Sequence, residues 1–172
     1  MLKAYYKGLF FEFVLQDKIA DAVIILPGFP GRNDYNELIS LFYDRGYHVF
    51  VPRYKGTYQS VGKFLEKNII DDLISFTQGI EKGNVQSLWD MNYLYFKVRK
   101  KLIVTAGFGA PIACALSVKY PVFSHLILCS PIWDFSKHNL EGGEVDLKLM
   151  TQFVKRAYKH CFRFKFDDVC FE

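Results

Sequence analysis

Leu102-Ile103-Val104-Thr105-Ala106-Gly107-Phe108-Gly109-Ala110-Pro111-Ile112-Ala113 decides how this chain folds. The residues from Leu102 to Ala106 are apolar or β-branched without a break. That is the composition of a strand buried on both faces. Gly107-Phe108-Gly109 then turns the chain, and the residues beyond read as a helix ending near Lys119. Pro121 enforces that stop, because proline cannot continue a helix. A buried strand turning straight into a helix is half of a parallel βαβ unit.

The same grammar extends to both sides. Ala22-Val23-Ile24-Ile25-Leu26 is a second continuous apolar run, ended by Pro27-Gly28. Asn33 or Asp34 can cap the helix that follows. Its stripe is Tyr35, Leu38, Ile39, Phe42 and Tyr43, the spacing of a helix lying on a sheet, and Gly46 ends it. Tyr47 to Val51 is the next strand, stopped by Pro52. Ile69, Leu73, Phe76 and Ile80 form another helical stripe. Phe123 to Cys129 is one more strand, closed by Ser130-Pro131. Upstream, Leu2 to Tyr6 and Leu9 to Leu15 flank Lys7-Gly8 as a short hairpin. Leu88-Trp89-Asp90 and Tyr93 to Val98 read as extra strand or hairpin material. Strand alternating with helix predicts an α/β fold, a mostly parallel sheet with helices on both faces.

The tail changes character. Ser136 to Asp146 is polar and reads as a loop around Gly142-Gly143. Met150, Phe153, Val154, Ala157, Tyr158 and Cys161 make a helical stripe. Phe162-Arg163-Phe164-Lys165-Phe166 alternates at period two, as a strand does. The expectation is a single domain over residues 1–172, with a core of about 1–135 and a C-terminal helix and strand-like tail over 136–172.

Composition narrows the function classes. The chain has 172 residues, 51% of them hydrophobic and 23% charged, which suits one packed domain. Its formal net charge of +4 does not call for a nucleic-acid or membrane partner. Lys155 to Lys165 interleaves basic and aromatic residues, and we read it as a solvated face. Cys114, Cys129, Cys161 and Cys170 form no CxxC pair, so reduced thiols are expected, with no metal site and no disulfide. Cys114 and Cys129 lie in apolar runs, where small buried hydrophobes belong. Met1 to Asp17 has no signal-peptide core, and no segment has the roughly 18 apolar residues of a membrane span. A cytoplasmic protein is expected. Gly28-Phe29-Pro30-Gly31 lacks the Lys-Ser/Thr of a phosphate loop. Gly107-Phe108-Gly109 lacks a third glycine, since Ile112 stands there. No cofactor is expected.

Three segments, in order, resemble the α/β-hydrolases. Ile25-Leu26-Pro27-Gly28-Phe29-Pro30-Gly31 is similar to the family's His-Gly-x-x-Gly turn, with Pro27 in place of histidine. Gly46 to Thr57 looks like the next strand and its Arg-Gly loop. Val104 to Ala113 resembles the strand, G-x-S-x-G elbow and helix. The likeness spans about Ala20 to Asp134. It implies that Thr105 takes the first glycine position, Gly107 the serine position and Gly109 the last glycine. An alternative register places Phe108 at the nucleophile. Neither supplies a hydroxyl, thiol or carboxylate.

Glycine suits such an elbow, whose central residue is held in a strained conformation costing others about 1–3 kcal/mol. The family's acid and histidine follow the nucleophile in the chain. Asp134 is the candidate acid. His125, His138 and His160 are poorly placed as bases, and the family's last strands are expected to be missing.

The resemblance therefore implies a hydrolase-like protein without a working triad. It would act as a binding or interaction module. The expected pocket is Pro27, Gly28, Gly107 and Gly109, with Phe29 and Phe108 as backbone donors to a small acyl or carboxylate ligand. Homo-oligomerisation through the C-terminal tail is expected from an open sheet edge. The alternative is a genuine esterase or peptidase using Cys129 or Ser130, or one half of a split hydrolase.

Overall fold

The continuous apolar runs become the middle of a six-stranded sheet. The computed structural model describes residues 1–28, 34–64 and 68–133. Strands β1 (Leu2–Tyr6), β2 (Leu9–Val14), β3 (Ala20–Leu26), β4 (His48–Pro52), β7 (Val98–Gly107) and β8 (Phe123–Pro131) pair in the order β1-β2-β4-β3-β7-β8. The last four run parallel, and the β1–β2 hairpin adds antiparallel to β4. A separate two-stranded hairpin, β5 (Asn84–Gln86) and β6 (Tyr93–Tyr95), precedes β7.

Successive strand residues point to opposite faces, so a run buried throughout needs cover on both. Val23, Ile25, Val49, Val51, Leu102 and Val104 pack with Ile39, Leu38 and Phe42 of α1 (Asn36–Tyr43). Their neighbours Ile24, Leu26, Phe50 and Ile103 face the other way. There they meet Leu73, Phe76 and Ile80 of α2 (Ile69–Glu81) and Ala113 and Leu116 of α3 (Gly109–Lys119). The chain steps from β3 to β4 through α1. It then steps back past β3 to β7 and β8 through α2 and α3. Right-handed crossovers in opposite directions place the helices on opposite faces. The reversal makes the carboxyl end of β3 a topological switch point, where a crevice opens between neighbouring connections.

Several expectations change in detail. The extra strand is Asn84–Gln86, and Leu88-Trp89-Asp90 is its connecting loop. The loop closes because Ser87 N–H donates to Asn92 O and the Asp90 carboxylate accepts from Asn92 N–H. Pro52 does not stop β4; it is the strand's last residue, opposite Phe11. Strand β7 starts four residues early, because Val98 to Lys101 are exposed or half-buried and three of them are basic, so hydropathy does not reveal the strand. Helix α1 starts at Asn36 with no side-chain cap, although Asp34 accepts from Asn36 N–H.

Cys129 is exposed, contrary to the expectation of burial. Strand β8 is the sheet edge among the described residues, and only its Leu126 and Leu128 side packs on the core. Its other face leaves Ile127 44% exposed. Among the described residues no helix is long and apolar enough to cross a membrane, and no group of three metal-ligating side chains forms. The tail over 136–172 lies outside the described residues.

Phe50 sits at the sheet centre, fully buried, with its ring against Phe11, Phe13 and Phe96. Phe50→Ala is expected to cost about 3–5 kcal/mol in urea unfolding. His48, at the start of β4, is also fully buried. Gln16 N–H donates to its Nδ1 at 3.1 Å, so Nε2 carries the proton toward Lys97 O, also at 3.1 Å. Burial is the larger influence and lowers its pKa, against the Lys97 carbonyl. The proton therefore binds the unfolded chain in preference, and stability is lost as pH falls below the free imidazole value of about 6.5. The melting temperature should drop between about pH 7.5 and about pH 5.5, and His48→Asn should flatten that slope.

Candidate functional site

The carboxyl ends of β3, β4, β7 and β8 converge on the switch point. Strand β7 ends at Gly107 with φ +55°, the left-handed region that favours glycine, and α3 begins two residues later. Among the described residues, a Cβ built on Gly107 would meet only Ile132 Cδ1, at 3.8 Å. Among the described residues nothing else stands over this position, and glycine itself carries no side chain there. Phe108 is the N-cap of α3, and its ring packs on Tyr54 and Phe64, each centroid 6.1 Å away. Pro111 falls in the first turn of α3, where its missing N–H is harmless.

The two neighbouring glycines do different work. A Cβ on Gly28 would lie 3.2 Å from Ala106 O. A Cβ on Gly109 would run into Thr105 Oγ1 and sit 3.1 Å from Pro27 O. These glycines let β3, β7 and α3 close on one another. Thr105, where the resemblance expects glycine, donates its hydroxyl to Leu26 O at 3.0 Å and ties the two strand ends together.

The rest of the rim is a lattice of polar contacts. Tyr54 is buried and donates to Pro27 O at 2.8 Å. Gly28 N–H donates to Tyr35 Oη at 3.3 Å. Desolvation by burial raises both phenols, most strongly Tyr54, so neither ionises near neutrality. Arg53 forms a buried ion pair with Glu12 and lies over the rings of Tyr35 and Tyr58. Ser60 Oγ donates to Arg53 O at 2.6 Å and accepts from Phe10 N–H at 2.8 Å, pinning the loop after β4.

Of the expected site residues, Pro27, Gly28, Gly107, Phe108 and Gly109 come together here. Phe29, Asp134, His138 and His160 lie outside the described residues. His125 pairs with Leu102, five residues before Gly107 on β7, and its Nδ1 lies 3.1 Å from Ser124 Oγ. At about 3.3 Å per residue it is roughly 17 Å away along the strand. Cys129 and Ser130 do reach the site. Cys129 pairs with Ala106 and Pro131 with Gly107, so Ser130 is the extra residue of a bulge. It is exposed and held at φ +44°.

Sequence reasoning missed the Tyr35 and Tyr54 contacts and the Arg53–Glu12 pair. One signal was present: Glu12 stands alone in the aromatic run Leu9-Phe10-Phe11-Glu12-Phe13, and a buried charge demands a partner.

No family model matches this chain, and no curated protein matches it. Solved structures do. A protein of unknown function from Agrobacterium tumefaciens, described as an α/β hydrolase, superposes with a TM-score of 0.60 at 20% identity, over 80% of this chain. A CIB-like hydrolase from Thermoplasma acidophilum does so at 0.58 and 14%, over 89%. An epoxide hydrolase from Aspergillus niger gives 0.57 and 16%, over 92%. The fold is that of the α/β-hydrolases. At these identities the likeness is one of fold. The chain spans 65% of the Agrobacterium protein, 79% of the Thermoplasma one and 44% of the Aspergillus enzyme. It thus covers part of the α/β-hydrolase fold.

The glycine at 109 makes a stringent test of this packing. Gly109→Ala should destabilise the domain by about 1–3 kcal/mol through overpacking. Adding Thr105→Ala removes the obstructing oxygen. The double variant should lose less than the sum of the single ones, read as a non-zero coupling in a double-mutant cycle.

Proposed function

We propose that this chain is a non-catalytic α/β-hydrolase-like module that holds a small acyl or carboxylate ligand at the switch point. The observation that carries the reading is Gly107. The strand-to-helix turn has the positive φ of a nucleophile elbow, the position above it is open among the described residues, and glycine carries no reactive group. Backbone N–H groups at the start of α3, those of Phe108 and Gly109, would meet the ligand's oxygen, because an oxyanion site does not depend on a nucleophile. The exposed edge of β8, with Ile127 and Trp133 on the surface, favours self-association as part of the same reading, with the C-terminal tail as the contact.

A titration with butyrate, followed by amide chemical shifts, tests it. Saturable shifts should concentrate at Gly28 and at Gly107 to Ala110, with a dissociation constant in the millimolar range. Shifts that never saturate, or that fall elsewhere, would reject the reading.

One observation favours a second reading. Ser130 is a non-glycine residue at positive φ beside the elbow, and such strain collects at functional sites. A hydrolase using Ser130 would turn over an aryl ester and lose about 10³-fold or more on Ser130→Ala. The lead reading expects that substitution to leave the background rate unchanged.

A further inference from the structure

We propose that a second binding site, independent of the first, lies between the sheet, α2 and the β5–β6 hairpin and takes a small uncharged aromatic molecule. A cavity of about 220 Å³ sits between β1, β2, α2 and the β5–β6 hairpin. It opens on the β1–β2 side of the sheet, and β7, which Gly107 closes, lies three strands from β2.

The interior is aromatic. Phe11, Phe50, Phe76 and Phe96 form its walls, all buried, with Ile80 and Val85 between them. Phe11 meets Phe76 edge-on at 5.1 Å, and Phe50 tilts on Phe96 at 5.5 Å. Such faces and edges suit another ring better than an aliphatic chain. Gly79 brings Tyr6 in as a side wall, since a Cβ there would lie 2.7 Å from that ring. An apolar cavity of about 150 Å³ takes benzene, so this one has room for a single ring and a short substituent.

The mouth fixes the substituent. Asn84 and Lys82 line it, and among the described residues neither side chain has a hydrogen-bond or ion-pair partner. Asn84 therefore has amide donors and an acceptor to offer. Lys82 brings a positive charge, while α2 ends there at Glu81 with the negative end of its dipole. The two fields oppose, so neither a carboxylate nor an ammonium gains much. A neutral hydroxyl or amide on the ring satisfies Asn84 without that conflict.

The test uses the whole chain and benzyl alcohol as the probe, with amide and side-chain shifts as the readout. Saturable shifts at Ile80, Val85 and Phe96 in the millimolar range are expected. Val85→Phe fills the cavity and should abolish them. Asn84→Ala, on the exposed rim, should weaken benzyl alcohol by about three- to tenfold and leave toluene unchanged. Benzoate and benzylamine should bind about tenfold more weakly than benzyl alcohol. Absence of saturable shifts, their survival in folded Val85→Phe, or equal binding of the ions would overturn the proposal. If Val85→Phe does not fold, Asn84→Ala decides: an equal loss for toluene, or none for benzyl alcohol, overturns it.

Discussion

The carboxyl end of β3 and the turn from β7 into α3 must approach to backbone contact, and the rest of the molecule is arranged around that approach. Gly28 lies under Ala106 O, Gly109 lies against Thr105 and Pro27 O, and the Thr105 hydroxyl bridges to Leu26 O. A side chain at Gly109 would press α3 against Thr105 and Pro27 O, and one at Gly28 would crowd Ala106 O. With α3 seated, Ala113 and Leu116 reach the core and β8 can return parallel to β7. Glycine costs chain entropy at both positions, and the close packing offsets it.

The same approach shapes the chemistry. It brings backbone N–H groups and a left-handed glycine to the switch point, but it supplies no titratable side chain at Gly107. The polar groups around the crevice are committed to holding the walls: Tyr54 to Pro27, Gly28 to Tyr35, Arg53 to Glu12. Burial keeps both phenols protonated. A buried ion pair such as Arg53–Glu12 is weak evidence for stability but strong evidence for position, since breaking one partner strands the other charge.

Much of this was legible in the residues. The runs at Ala22–Leu26 and Leu102–Ala106 announce doubly covered strands, and Pro121 marks the end of α3. The hairpin was harder. Leu88-Trp89-Asp90 is more apolar than Asn84-Val85-Gln86, yet Asp90 folds the former into a loop through Asn92. Cys129 looked buried because a pattern of hydropathy cannot tell an edge strand from an interior one. The strain at Ser130 is a backbone angle, which composition does not encode. Glu12 was visible, but its partner lies 41 positions along the chain, and only the β2–β4 pairing brings Arg53 beside it. The aromatic cavity escaped for the same reason. Phe11, Phe50, Phe76 and Phe96 are each unremarkable core residues until four elements set them around one space.

The claim at the centre is that the hydrolase scaffold here has lost its attacking side chain. Intact-mass analysis after incubation with a fluorophosphonate tests it most directly, because that reagent forms a stable bond only with an activated serine. The account predicts unmodified protein throughout. A single stoichiometric adduct, mapped by peptide sequencing to Ser130 or to any other serine, would contradict it.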